Sequence, residues 1–238
     1  MELLALLIGT FLFCWALRKQ FRHSPWVFYC LAFLLDILML ANKMLTLPLW
    51  LIGIISPLMQ KGGLGIAFFS LVMWIGVFPR TGTLSKAWRP IRAELSITAC
   101  ILIAGHMALY LSSYLPRFTS GAFIKPAVVA AFAIACILLA LILILGITSL
   151  KTVKRHMNAK TWKQLQTLAY PFYALVLAHL LLMIGPSAAR GSVDSIVSIA
   201  IYLIVFGGYI VARIWRAILD KREAIDIVET VRDQGFKK

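Results

Sequence analysis

The sequence predicts an all-α, polytopic transmembrane helix bundle of about seven spans. Three observations carry that reading. The 238 residues are 61% hydrophobic and only 14% charged, whereas soluble domains are about 45–50% apolar and roughly a quarter charged. The mean hydropathy is +0.90. The apolar residues fall in long runs separated by charged or Pro/Gly breaks, which is the pattern of membrane helices rather than of a soluble core. At about 20 residues per span, this length holds a bundle and leaves no room for a separate catalytic domain.

The runs are 2–17, 26–42, 62–78, 93–114, 126–149, 165–185 and 194–213. The first is not a cleavable leader, because its basic cluster (Arg18, Lys19, Arg22) follows the apolar stretch and no small-residue cleavage site comes after it. It is expected to be a retained anchor. Between Lys43 and Lys61 the chain is apolar but broken by Pro48 and Pro57. That segment reads as interfacial, as re-entrant, or as an extension of its neighbours. The chain divides into 1–61 (N-terminal spans and interfacial segment), 62–213 (the main bundle) and 214–238 (a cytoplasmic tail). In the tail, Ile218, Ile225, Ile227 and Val228 are spaced for one helical face. It reads as a solvated extension of the last span or as a docking surface.

The formal charge is +15. On a soluble protein this would suggest nucleic acid, but on a bundle it reports topology. With seven spans, 19 of the 24 basic residues fall on one side. Only Lys43, Lys61, Arg117, Lys125 and Arg190 fall on the other. Positive-inside bias then places the N-terminus outside and the C-terminus in the cytoplasm. The protein is expected in the inner (cytoplasmic) membrane, multi-pass, with membrane lipid and not nucleic acid as its surroundings.

The four cysteines (Cys14, Cys30, Cys100, Cys136) lie inside predicted spans with no CxxC or CxxCH spacing. Iron–sulfur and c-type haem ligation are therefore not expected, and the thiols read as small buried apolar side chains. Two histidines carry more information. His106 and His179 sit inside apolar helices, where ionisable groups are costly and serve a function or a specific pairing. His106 lies 14 residues after Arg92 and His179 lies 16 after Lys163, placing them about 21 and 24 Å into a core about 30 Å thick. Two imidazoles at one depth can supply both axial ligands of a b-type haem. The bland alternative is two unrelated histidines bonded to hydroxyls such as Tyr110 or Tyr173. Ala104, Gly105, Ala108, Ala174 and Ala178 flank the pair and would let a flat macrocycle approach. Arg117, Lys125 and Arg190 are the cations available to its propionates at the outer interface.

Three stretches resemble the ferric reductase-like transmembrane domain family, closest to the haem-binding membrane subunit of the periplasmic methionine sulfoxide reductase system. These are RPIRAELSITACILIAGHMALYL, ITSLKTVKRHMNAKTWKQLQTLAY and the following His179. The likeness runs from about Gly65 to Ile214 and covers the last five spans. It implies an electron-transfer subunit of an oxidoreductase complex rather than a complete enzyme. In that role the chain passes electrons from quinol or a partner redox subunit, through haem, to a partner reductase outside the cytoplasm. There is one departure. The family carries a second histidine 13 residues before the one matched by His179, and here that residue is Gln166. A glutamine amide is a poor ligand for haem iron, so one haem b is expected, with His156 the remaining candidate for a second site.

Quinol, if it is the donor, needs a pocket. Trp88, Trp162 and Tyr170 near the inner interface could line one or simply form an aromatic belt. Asp36, in the second span, must be protonated or paired and could relay protons. A different class of function stays open at this level. In a transporter or channel without haem, Asp36, the Pro48/Pro57 segment and Gly62, Gly63 and Gly65 would form the pathway. A structural subunit that anchors partners through its tail is a third class.

Overall fold

A computed structural model describes residues 2–79, 81–121 and 124–235, with side chains through residue 223 apart from Glu2. Arg80, Lys237 and Lys238, all counted in the charge asymmetry, lie outside the described residues, as do the side chains of Ile225, Ile227, Val228 and Arg232. Among the described residues the fold is all-helical. The order is α1 (Glu2–Ala16), α2 (Arg18–His23), α3 (Pro25–Ala41), α4 (Leu49–Met59), α5 (Gly63–Ile75) and α6 (Thr83–Trp88). Then follow α7 (Arg92–Thr119), α8 (Pro126–Ser149), α9 (Lys151–Arg155), α10 (Ala159–Gln166), α11 (Ala169–Ala188) and α12 (Val193–Gly235).

Among the described residues, five helical stretches are long and apolar enough to cross a membrane: Leu49–Ile75, Thr83–Thr119, Pro126–Ser149, Ala159–Ala188 and Val193–Glu223. The two N-terminal runs are helical where the sequence indicates, and both are short for a span. α1 has 15 residues and α3 has 17, or about 22 and 26 Å against a core of about 30 Å. Large apolar side chains such as Leu12, Phe33, Ile204 and Val211 are exposed on the outside of the bundle. In a multi-pass membrane protein this surface faces lipid. Cys30 and Cys136 belong to that exposed surface, and only Cys14 of the four thiols is fully buried.

The Pro48–Lys61 region resolves as α4, joined to α5 by a sharp break. Lys61 (φ 56°) and Gly62 (φ 67°) are both left-handed, and Lys61 is the one non-glycine with positive φ among the described residues. Pro57 inside α4 already removes one helical N–H donor. Such discontinuities at membrane depth are tolerated where the freed backbone is buried in protein or lines a cavity.

α7 is the hub, packed against α3, α5 and α8, while α8 packs on α11 and α11 on α12. α1 leans on α5. Aromatic pairs lock these seams. Phe21 stacks on Phe28 at 3.6 Å, Trp88 is wedged between Phe11 and Trp15, and Tyr173 stacks on Phe206 at 4.0 Å. Two charged groups at the Arg92 end find partners across helices. Arg92 Nε donates to the Val72 carbonyl at 3.2 Å, and Lys151 meets buried Glu94 at 2.8 Å.

α3 and α7 approach closely at one point. A Cβ built on Gly105 would lie 2.0 Å from the Asp36 carboxyl carbon. Gly105 therefore seats Asp36 rather than clearing space beside His106. Gly105→Ala is expected to destabilise the protein by about 1–3 kcal/mol through overpacking. Adding Asp36→Ala should recover most of that loss, because the two sites are in contact and couple. Thermal unfolding of the single and double variants in detergent checks this, and additive losses would show that the contact is not the cause.

Candidate functional site

α7, α8 and α11, with the Lys61–Gly62 break, enclose a cavity of about 200 Å³. His106 and His179 both line it. The depth match read from the sequence thus corresponds to a shared chamber. The remaining lining is almost wholly apolar, including Ile66, Ile103, Phe172 and Leu180, with Met107 and Met183 at its sides.

The two rings are held differently. His179 Nδ1 lies 2.9 Å from the Ala131 carbonyl oxygen of α8. A carbonyl only accepts, so Nδ1 carries the proton and donates it, which leaves Nε2 as the lone-pair nitrogen of the neutral ring. A backbone carbonyl that orients an imidazole in this way is the usual support behind a metal-binding histidine. His106 Nδ1 is buried with no hydrogen-bond partner. An orphaned buried nitrogen costs about 1–3 kcal/mol. The ring packs against Gly62, where a Cβ would sit 3.4 Å from both Cγ and Nδ1, and against Tyr110 at a ring separation of 4.6 Å. Neither histidine bonds to a tyrosine hydroxyl. The Tyr173 hydroxyl is instead 3.3 Å from Ser70 Oγ.

Small residues do border the chamber, but they are Gly62, Ala131 and Ala135. The flanking Ala108 and Ala174 are exposed on their helices. A haem-sized group tests this site in three ways. The donor set suits it: two imidazoles, one pre-oriented and one lacking a partner. The apolar lining suits the faces of a macrocycle. The volume falls short of the about 300–1,000 Å³ of small-molecule pockets, so entry requires adaptable side chains such as Met107 and Met183 to move aside. Among the described residues no group of three or more His, Cys, Asp or Glu side chains is gathered for a metal ion.

The expected cations take other places. Arg117 is exposed and lies over the Tyr114 ring at 5.5 Å, and Tyr114 lines the chamber. Lys125 caps the start of α8 and Arg190 follows α11, both exposed. The cation on the chamber itself is Lys61, which the sequence offered only as one of five outer charges. Its neighbour Gly62 was the available signal, since glycine readily takes the left-handed backbone that a break between two helices requires.

Gln166, the residue in place of the family's second histidine, ends α10 and donates from Nε2 to Thr148 Oγ1 at 2.9 Å. Trp162 Nε1 donates to the Thr148 carbonyl at 2.9 Å. Thr148 thus fastens α10 to the end of α8. His156 Nδ1 is bonded to the Thr152 carbonyl at 2.7 Å in the exposed connection. Trp88, Trp162 and Tyr170 do not share a pocket. Trp88 is buried among aromatic rings, Lys154 covers the Trp162 ring at 4.2 Å, and the Tyr170 hydroxyl accepts from Arg213 at 3.0 Å.

Residues 61–177 match the family described as ferric reductase like transmembrane component. The matched segment, just under half of the chain, is similar to that family. The match opens on Lys61, includes His106 and Gln166, and stops two residues short of His179. A protein of Treponema pallidum (strain Nichols), described as uncharacterized, is 40% identical over 158 residues, covering 66% of this chain. The chain spans 43% of that relative's length. No solved structure matches.

Gly62→Ala should cost about 1 kcal/mol, because an L-residue at φ 67° is strained. The added methyl meets the His106 ring only at ordinary contact distance. Denaturant or thermal titration of the purified variant checks this. A neutral result would mean that the break relaxes without the glycine.

Proposed function

We propose that this chain is the b-type cytochrome subunit of a membrane oxidoreductase, with one haem held between His106 and His179. The observation that carries the reading is the shared chamber, with one imidazole oriented by the Ala131 carbonyl and the other left without a partner. The ferric reductase-like match, which marks membrane electron-transfer components, supports it. Haem held by His106 and His179 would supply single-electron transfer rather than substrate binding.

The chain's own residues have distinct parts in this proposal. The Ala131 carbonyl holds the His179 ring in the tautomer that presents Nε2. The Lys61–Gly62 break lets the His106 ring lie against backbone, and it sets one cation at the chamber. Lys61, with Arg117 reached through Tyr114 and with Lys125 and Arg190 at the same interface, neutralises the propionates. Aliphatic side chains keep water from the iron. Gln166 is committed to Thr148, so a second haem has no histidine on that helix, and the stoichiometry is one.

The proposed topology has seven spans, with α1 and α3 crossing a locally thinned bilayer in the inner membrane. The N-terminus lies outside and the basic C-terminal side lies in the cytoplasm. Electrons arrive from quinol or a partner redox subunit and leave to a partner reductase on the outer side. The branch proposed is the membrane subunit of a methionine sulfoxide reductase system. The break at Lys61, which a transport pathway would also use, opens on the histidine chamber and is absorbed by this reading.

Visible spectroscopy of protein purified from haem-replete membranes tests the proposal. A Soret band and sharp reduced b-type bands are expected, at one haem per chain. His106→Ala or His179→Ala should each remove most of that absorbance while the protein still accumulates. Absence of any haem spectrum in the parent would sink the assignment, and a ratio near two would overturn the role given to Gln166. Topology has its own check. A fluorescent protein fused after Lys238 should fold and fluoresce in the cytoplasm, whereas a periplasm-dependent phosphatase at the same point should stay inactive.

A further inference from the structure

A second, larger cavity lies in the N-terminal part of the fold, most of it outside the segment that matches the family. It encloses about 550 Å³ between α1 and α3, floored by α4, α5 and α7. Its walls include Leu6, Phe28, Leu35, Leu58, Phe68 and Leu102. α1 packs on α5 and α3 packs on α7, which leaves the space between the two short helices unfilled. Gly9, Phe13 and Leu31 line the cavity and are exposed on the lipid-facing side, so its mouth opens to the bilayer. A 550 Å³ void in protein that packs densely elsewhere is costly if empty.

Two further observations say what fills it. Thr10 lines the cavity, is 5% exposed, and its hydroxyl is buried without a hydrogen-bond partner. An apolar ligand body with an acceptor part-way along it would satisfy that group. The connection between α1 and α3 carries Arg18, Lys19 and Arg22, and none has a carboxylate partner among the described residues. Arg18 folds back along α1, donating from Nη1 to the Trp15 carbonyl at 2.8 Å with its guanidinium 4.4 Å over the Trp15 ring. From Trp15 to Thr10 the helix rises about 7.5 Å. The headgroup layer of one leaflet is about 5–7.5 Å thick. Charge, hydroxyl and apolar void therefore follow one another in the order and spacing of phosphate, ester carbonyl and acyl chain.

We infer that this cavity is a structural site for one anionic phospholipid. An acyl chain occupies the void, an ester carbonyl accepts from Thr10, and the phosphate lies at the Arg18–Lys19–Arg22 turn. The lipid completes the wall between two helices that are short for a bilayer. This inference does not depend on the haem assignment, because neither histidine lines the cavity.

Native mass spectrometry and lipid extraction of the whole protein in mild detergent, followed by thermal shifts with added phosphatidylglycerol or phosphatidylcholine, test it. One phosphatidylglycerol-type lipid per chain should co-purify, and phosphatidylglycerol should raise the melting temperature more than phosphatidylcholine. A Cβ on Gly9 would meet nothing within 4 Å, so the backbone there admits a side chain, and Gly9→Phe, placed at the mouth, should lower retained lipid several-fold. Thr10→Val should weaken retention about three- to tenfold. Replacing Arg18, Lys19 and Arg22 by Gln should weaken the anionic preference about fivefold per charge and tests the site even if Gly9→Phe fails to fold. Equal stabilisation by both lipids, undiminished lipid in Gly9→Phe, or recovery of a neutral isoprenoid lipid in place of phospholipid would each overturn the inference.

Discussion

A polar group placed in hydrocarbon must find its partner inside the protein, because no water is there to supply one. That constraint orders this molecule. Glu94 is received by Lys151, Gln166 by Thr148, and the end of α5 by Arg92. Each pairing joins two helices, so the satisfaction of single groups also fixes which helices neighbour one another. α7 contributes to two of the three, in keeping with its central position. Among the described residues the buried polar atoms without a partner are Asp36 Oδ1, Trp88 Nε1 and Glu94 Oε2 and, each beside a cavity, His106 Nδ1 and the Thr10 hydroxyl.

The two cavities differ in kind. One is small, enclosed by three long helices and carries two imidazoles. The other is large, carries the hydroxyls of Thr10 and Thr98, of which Thr98 donates to the Glu94 carbonyl, and lies between α1 and α3. The first lies mostly within the segment shared with the ferric reductase-like family. The second is built chiefly from residues that precede it. The break at Lys61–Gly62 stands between them and also marks where the family match begins. The N-terminal helices therefore join the common bundle at a point where the backbone is already irregular.

Much of this was legible in the sequence. Apolar run length locates the long helices, because backbone self-satisfaction leaves the helix as the only open-ended solution in a bilayer. Equal distance from flanking charges brought His106 and His179 to one level, because helical rise is constant. Other features escaped for physical reasons. The role of Gly105 depends on which helix crosses it, and α3 reaches that point through tertiary packing that no periodicity encodes. Lys61 looked like a loop charge because charge alone does not reveal a backbone folded back over a neighbouring helix. Two of the four thiols proved exposed, since a position within a span does not say which way a side chain faces.

α12 carries a consequence of another sort. It runs unbroken for 43 residues, about 64 Å of helix, roughly twice what the hydrocarbon layer requires. Its apolar run ends at 213, and the helix continues to Gly235, about 33 Å further at the same rise. A straight rod converts residue number into distance. Whatever is tethered at its far end is held off the lipid surface by a set stand-off, which insertions or deletions would change by about 1.5 Å and about 100° per residue. The last helix is thus a ruler as well as a membrane span.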